Sequence, residues 1–282
     1  MLAIAGGLVA ALMWGTATVS SSRASRTVGA TSTLAGVMLV GFAVAVPIAL
    51  ASGLPTGLGA RELAWLGLAG TGNVLGLLLE YRGLRVGKVG VVAAIASTEG
   101  ALAAVIAIGF GERVSLPTAV LLAVIALGVV LASIAQEDPE AERTRGVAAA
   151  GFGVGAAVSF GASLYATARV GEVVSVPWVL VAARIVGVVA FALPVAAMGR
   201  LHIERPVLPL VVLSGLCELG GFAAFTFGAR HGIAVTAVMA SQFAAVAAIG
   251  AYVFFRERLV GVQLVGVATI VLGVTFLAGL RA

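Results

Sequence analysis

Three ionisable side chains lie near the middle of long apolar segments of this chain: Glu99, Arg184 and Glu218. A charge at the centre of a membrane helix costs about 2.5–3.5 kcal/mol on insertion scales, so such a group should face a protein interior or a wet cavity. Two acids and one base would form one ion pair and leave one carboxyl group that can carry a proton. These residues could bind a polar or zwitterionic ligand or exchange a proton. The alternative is a buried Arg–Glu pair that only ties two helices together.

Asn73 is a fourth candidate because it lies 145 residues before Glu218, and the chain repeats itself at that offset, as described below. Both residues lie on helical faces made mainly of small residues, which suits either a cavity wall or close helix packing. Further polar or aromatic side chains could contact a ligand or simply bond to a neighbouring helix: Trp14, Thr18, Tyr165, Ser241 and Gln242.

No motif for catalysis, a metal or a cofactor accompanies these residues. Gly151-Phe-Gly153-Val-Gly155 follows no strand, so it indicates helix packing rather than a dinucleotide loop. Gly83-xxx-Gly87-Lys88 has the wrong spacing for a P-loop. The sequence has no HExxH and no GxSxG, and its two histidines, His202 and His231, stand at predicted helix ends. We expect no catalytic residue, no metal site, no cofactor and no enzyme activity.

The composition is that of a membrane protein. Hydrophobic residues make up 61% of the 282 residues and charged residues 10%, and the mean hydropathy is +1.16. A soluble domain carries about 25% charged residues, because its surface must face water. The net charge of +5 comes from Lys and Arg residues scattered between apolar runs, which indicates membrane topology and not nucleic-acid binding. The apolar surplus must therefore face lipid.

Ten apolar segments of about 20 residues, the length that spans a bilayer, are separated by short polar breaks. They are 2–20, 31–51, 63–81, 89–110, 116–135, 146–168, 176–198, 207–228, 233–254 and 260–280. Each must be helical, because backbone groups in lipid have to be hydrogen-bonded within their own segment. No basic region precedes the first segment, so we expect it to be a retained span rather than a signal peptide. The sequence predicts an all-α integral membrane protein with ten transmembrane helices.

The longest polar stretch, QEDPEAERTR at 136–145, divides the chain into a first unit, 1–135, and a second unit, 146–282. Shifting the second unit by 145 residues superimposes an ordered series of Gly, Arg and Glu residues. Examples are Gly76 on Gly221, Arg85 on Arg230 and Glu112 on Glu257. With one extra residue, Trp14-Gly15 falls on Phe160-Gly161. Five helices per unit is an odd number, so the two repeats must be inverted, an architecture that many secondary transporters use.

Glu112 and Glu257 each precede the last helix of a unit, where an acid would complement the positive end of the helix dipole. The same region carries a family pattern, which runs as a polar or Glu-Pro pair, a long apolar helix, Gly-Glu-Arg, and a helix with a late Leu-Gly-Val. The stretches are STEGALAAVIAIGFGERVSLPTAVLLAVIALGVVLA from Ser97 and SQFAAVAAIGAYVFFRERLVGVQLVGVATIVLGVTFLA from Ser241. With Trp14-Gly15, they resemble the EamA-type branch of the drug/metabolite transporter superfamily over nearly the whole chain. Gly100 departs from this pattern, since the family often has proline there.

The resemblance implies two five-helix repeats and the transport or export of small metabolites, with both termini inside. The positive-inside rule points the other way, because 11 Lys and Arg residues follow odd-numbered segments and five lie on the side of the termini. We follow the family orientation.

We expect an exporter of an amino-acid-like or other small polar or amphipathic metabolite in the cytoplasmic membrane. Its partners would be this substrate and membrane lipid, with protons as the candidate coupling ion, and it would be a monomer or a homodimer. The alternatives are a flippase for a lipid-linked sugar or phospholipid and an intramembrane enzyme.

Overall fold

The computed structural model describes residues 1–55, 58–87, 89–133 and 143–255, and short helical pieces between 261 and 276. The first part of the chain forms α1 (Leu2–Val28), α2 (Ala30–Ala51), α3 (Ala60–Val86), α4 (Val89–Ala96), α5 (Glu99–Gly109) and α6 (Leu116–Ser133). The second part forms α7 (Arg143–Gly171), α8 (Val176–Gly187), a π-helical turn (Val188–Ala192), α9 (Leu193–Ala197), α10 (Leu208–Ala229), α11 (Ile233–Ala240) and α12 (Phe243–Phe255).

The described residues form helices and no strands, and many of the helices could cross a membrane. Seven helical segments have the required length and hydropathy, and two more, Glu99–Gly109 and Leu116–Gly128, are apolar but shorter. Large apolar side chains on their outer surfaces are exposed, for example Leu12, Leu50, Val105 and Leu116. A multi-pass membrane protein is thereby confirmed. The prediction of ten helices is not confirmed, because most of the tenth predicted segment, 260–280, and most of the linker, 136–145, lie outside the described residues.

Two of the predicted spans are interrupted helices. The span 89–110 consists of α4 and α5, which meet at Ser97 and Thr98, and the span 233–254 consists of α11 and α12, which meet at Ser241 and Gln242. The first interruption occurs although Gly100 replaces the proline of the family pattern. Interrupted helices in a membrane expose polar backbone ends, which are tolerated where they are covered by protein or line a cavity.

The helices of the first part pack mainly on those of the second. α1 packs along α10, and α3 packs along α7; these two pairs are equivalent under the 145-residue offset. Likewise α1 contacts α11 and α12, whereas α7 contacts α4 and α5. Glycines allow these close approaches: a Cβ atom added to Gly76 would lie 2.5 Å from the Phe160 ring, and one added to Gly221 would overlap the Trp14 indole. Gly151, by contrast, has open space around it, so the Gly151-xxx-Gly155 packing motif operates only through Gly155, which lies against Leu79.

Glu112 binds a different helix from the one the sequence suggested. Its carboxylate accepts hydrogen bonds from the backbone N–H of Ala234 (3.1 and 3.3 Å), in the first turn of α11. The acid therefore complements the dipole of α11, across the interface between the two parts. Glu257 lies outside the described residues.

Candidate functional site

Glu218, Asn73 and Arg184 form one buried polar network between α10, α3 and α8. The Asn73 amide donates a hydrogen bond to Glu218 Oε1 (3.0 Å), and Arg184 donates to the amide oxygen of Asn73 (3.3 Å). The nearest Arg184 nitrogen lies 3.9 Å from Glu218 Oε1. Asn73 therefore bridges the acid and the base, and the charges of Arg184 and Glu218 compensate each other.

Arg184 is held tightly and is fully buried. A second contact from its guanidinium reaches the sulfur of Met38 (3.4 Å), and its aliphatic stem lies against Gly41, where an added Cβ would be 2.9 Å from Cδ. The guanidinium also lies 5.7 Å from the centre of the Phe222 ring, within cation–π range. Its hydrogen bonds are made by Nη1 alone, whereas Nε and Nη2 have no hydrogen-bond partner among the described residues and Nη2 lies 3.9 Å from Glu218 Oε1.

The side chain of Glu218 also lines a small cavity with buried walls between α1, α3, α5, α7, α10 and α12. The cavity wall consists of acidic, hydroxyl-bearing, aromatic and small residues: Trp14, Ala17, Thr18, Ser21, Leu77, Glu80, Tyr81, Glu99, Phe160, Leu164, Glu218, Phe222 and Phe243. Its volume is about 30 Å³. One water molecule needs about 10–15 Å³, so there is room for about two or three waters and none for a metabolite.

Three carboxyl groups, from Glu80, Glu99 and Glu218, share this cavity. Glu80 accepts a 3.1 Å hydrogen bond from Thr18. Glu99 is 3% exposed, stands in the first turn of α5 just after the helix interruption, and makes no side-chain hydrogen bond within the described part of the chain. The buried Tyr81 hydroxyl also lacks a hydrogen-bond partner among the described residues. The wall therefore offers polar groups that are not used by the protein.

The sequence-predicted residues occupy four kinds of position. Trp14, Glu99 and Glu218 line the cavity, and Asn73 and Arg184 lie directly behind Glu218. Gln242 is buried at the α11–α12 interruption, where its side chain donates to the carbonyl of Val238, and it is not part of the cavity wall.

Tyr165 lies away from this cavity. It packs against Trp65 and Phe110, with ring centres 5.8 and 5.4 Å away, and lines a separate polar pocket of about 280 Å³. That pocket also contains Glu112, Arg169 and other residues at the ends of α5, α7 and α10. Tyr165 is therefore near one end of the bundle.

Sequence reasoning missed Glu80 as a member of the acidic group. The predicted span ended at residue 81, which would place Glu80 near the membrane surface, but α3 continues to Val86. The useful signal was its spacing, since Glu80 follows Asn73 and Gly76 on one helical face. Apart from Trp14, the aromatic wall residues carried no signal in the sequence, because apolar side chains occur all around a membrane helix.

Comparisons with known proteins agree with this description. Residues 1–134 match the model of the EamA-like transporter family. No curated protein matches the chain by sequence. A solved structure, described only as the crystal structure of a protein, has the same fold: the TM-score is 0.73 at 18% identity, over 99% of this chain and 97% of that one.

The N-terminal part of the chain, residues 1–134, thus belongs to the EamA-like transporter family, within the drug/metabolite transporter superfamily. Family membership implies a small-molecule substrate and a lipid environment. Members are transporters rather than enzymes, and the match gives no support to the flippase alternative.

Proposed function

We propose that the protein is a secondary transporter that exports a small polar or amphipathic, amino-acid-like metabolite across the cytoplasmic membrane by alternating access. The observation that carries this proposal is the buried cavity of acidic and aromatic residues between the two parts of the chain. Charged side chains at this depth are costly, and they mark ion and substrate pathways in membrane proteins.

The small volume of the cavity supports a conformational cycle. A space of about 30 Å³ beside three glutamates has room for water but not for a metabolite, so a substrate-bound state would need a wider cavity. A substrate could enter only if helices of the two parts separate. The two parts would act as two inverted five-helix repeats, 1–135 and 146–282, joined by 136–145, and the equivalent pairing of α1 with α10 and of α3 with α7 favours this organisation.

The two parts of the chain are joined by hydrogen bonds at both ends of the bundle. In an alternating-access cycle, these two sets of bonds would break one after the other. At the end where α1 begins, Glu112 binds the α11 N-terminus and Trp178 donates to the carbonyl of Gly53 (2.6 Å). At the opposite end, Ser32 donates to the carbonyl of Arg200 and accepts from the N–H of His202, both at 3.2 Å. Each set consists of a few hydrogen bonds, each worth about 0.5–1.5 kcal/mol net, so either can break during a cycle.

The proposal can be tested without knowing the substrate. Ala17, a small cavity residue on α1, would be changed to cysteine in a Cys217→Ala background, which removes the single native cysteine. In proteoliposomes, alternating access predicts that a membrane-impermeant thiol reagent labels Ala17→Cys from either side of the membrane. Labelling from one side only, or from neither, would contradict the proposal. Leu12→Cys, which is exposed on the outer surface of α1, is the control for a position outside the cavity.

A further inference from the structure

A groove runs along α1 on the outer surface of the bundle. Its floor is one face of α1, and the residues of this face follow helical spacing: Gly15, Thr16, Val19, Ser20 and Arg23. The volume of the groove is about 440 Å³, larger than that of the acidic cavity or of the pocket beside Tyr165. The groove and the acidic cavity share no lining residue among those described, so they are separate features.

The walls of the groove are apolar side chains from two helices of the second part of the chain. Leu210 and Leu213 of α10 line one side, and Ile249, Val253 and Phe254 of α12 line the other. Most of these side chains are exposed on the surface of the bundle. Exposed apolar side chains of a membrane-spanning helix face lipid hydrocarbon. In a bilayer the groove is therefore open to acyl chains.

The floor offers apolar surface, although two of its residues carry hydroxyl groups. Thr16 donates its hydroxyl to the carbonyl of Leu12 (2.8 Å), and the Ser20 hydroxyl hydrogen-bonds that of Ser214 on α10 (2.7 Å). Both hydroxyls are thus used by the protein. The nine residues of the floor extend over about 12 Å, slightly less than the roughly 15 Å hydrocarbon depth of one leaflet. One acyl chain can lie along it.

Arg23 supplies a positive charge at one end of the groove. It follows the apolar segment 2–20 directly, which places it at the level of the lipid headgroups. Its side chain is exposed and makes no hydrogen bond or ion pair within the described part of the chain. No acidic side chain lines the groove over the ranges that the structure describes. A guanidinium matches the geometry and the charge of a phosphate group.

The last predicted segment of the chain, 260–280, packs elsewhere at the residue that can be placed against a neighbour. An added Cβ on Gly273 would lie 2.5 Å from Ile125 of α6. α6 contributes no described residue to the groove. The contact at Gly273 therefore directs this segment to α6, whereas the unpaired Arg23 favours an occupant with a negative charge.

We propose that the groove binds one anionic phospholipid, with an acyl chain between α10 and α12 and the phosphate on Arg23. The floor belongs to the first part of the chain and both walls to the second, so the lipid contacts both parts at once. Its binding should therefore stabilise the packing of α1 against α10 and α12. Neither the acidic cavity nor transport is needed for this binding, so the two proposals can fail separately.

Native mass spectrometry of the purified, full-length protein tests the site with two lipids that share palmitoyl and oleoyl chains. Phosphatidylglycerol has a net negative charge, and phosphatidylcholine has none. We expect phosphatidylglycerol to bind about fivefold more tightly, the difference that one basic residue makes near an anionic lipid surface. Glycerol 3-phosphate has the phosphate group without the chains and should not bind.

Two substitutions separate the contribution of charge from that of shape. Arg23→Gln should remove the preference for phosphatidylglycerol, while Arg82→Gln, at an exposed position of α3, should preserve it. Thr16→Phe should fill the floor of the groove and weaken the binding of both lipids. Leu12→Phe, one turn earlier on α1 and exposed outside the groove, should leave their binding unchanged.

Equal binding of the two lipids by the unmodified protein would overturn the proposal, as would binding of neither. Unchanged lipid binding in Arg23→Gln or in Thr16→Phe would also contradict it. The same spectra report the oligomeric state. A dimer of the unmodified protein that becomes a monomer in Thr16→Phe would assign the groove to a second copy of the chain and would exclude the lipid.

Discussion

Asn73 donates a 3.0 Å hydrogen bond to Glu218, and the two residues are separated by 145 positions, the offset at which the two parts of the sequence align. Residues that correspond under an approximate two-fold relationship can contact each other directly only near its axis. The pair therefore lies where α3 and α10 face each other. Asn73 is neutral and cannot balance the carboxylate of Glu218. Arg184 supplies the compensating positive charge beside this pair.

The first prediction concerns this charge pair. Glu218→Asn would leave the fully buried guanidinium of Arg184 without an acid, and breaking a buried ion pair costs about 3–5 kcal/mol. Adding Arg184→Met removes the uncompensated charge and places an apolar side chain against Met38 of α2, which Arg184 contacts. We expect a large fall in the unfolding temperature of detergent-solubilised Glu218→Asn and recovery of most of it in the double variant. Equal stability of the single and double variants would show that the two charges are not coupled.

The second prediction concerns close helix packing. Gly221→Ala should be destabilising because the added Cβ would overlap the Trp14 indole, and overpacking of this kind costs about 1–3 kcal/mol. The adjacent Gly220 is a matched control, since its added Cβ would meet Met13 Sδ at an ordinary 3.6 Å. Gly220→Ala should therefore preserve the unfolding temperature or raise it through better helix propensity. Similar effects of the two changes would contradict the α1–α10 contact.

The same comparison can be made on α3. Gly76→Ala places a Cβ 2.5 Å from the Phe160 ring, whereas Gly67, nine residues earlier on the same helix, has open space around it. We expect Gly76→Ala to lower the unfolding temperature and Gly67→Ala to leave it unchanged. If the two parts are equivalent, the loss at Gly76 should resemble the loss at Gly221. A loss at only one of the two would argue against equivalent packing.

Some residues of the site could be predicted from the sequence and others could not, because different physical constraints determine their positions. Asn73, Arg184 and Glu218 could be predicted to meet, since each is polar, lies deep in an apolar segment and must find a partner there. Membership of the cavity also depends on how far a helix extends and how it is rotated. The extension of α3 to Val86 moves Glu80 inward, and the direction of α7 takes Tyr165 to the end of the bundle, and neither is set by local sequence.

The helix interruptions were only partly predictable. The family pattern has a proline after Glu99, which would favour a helix break, but glycine at position 100 supplies no steric reason for one. In the structure Gly100 lies against α11, where an added Cβ would be 2.8 Å from the Cβ of Ser241 and would overlap the carbonyl of Ala237. The position therefore selects a small residue for close packing between α5 and α11. That requirement arises from the tertiary contact with α11 and could not be predicted from the sequence around Gly100.

The orientation of the protein gives a fourth prediction. The family resemblance implies termini inside, against the distribution of Lys and Arg residues. We expect a C-terminal alkaline phosphatase fusion to be inactive and a C-terminal green fluorescent protein fusion to be fluorescent in cells. The reverse result would place the termini outside and would also reverse which end of the bundle, that of Glu112 or that of Ser32, faces the cytoplasm.

The last prediction concerns transport itself. Glu99 and Glu218 both line the cavity, but only Glu218 has a cationic partner. If the cavity carboxyl groups exchange protons during transport, Glu99→Gln removes one of them and leaves the Arg184 network intact. Its transport in liposomes should then be slow and should vary less with pH than that of the unmodified protein. Glu218→Gln leaves Arg184 uncompensated and should reduce both stability and transport. Glu204→Gln is the control for the chemical change at an exposed site. If both cavity variants transport normally at every pH, the site is elsewhere in the protein.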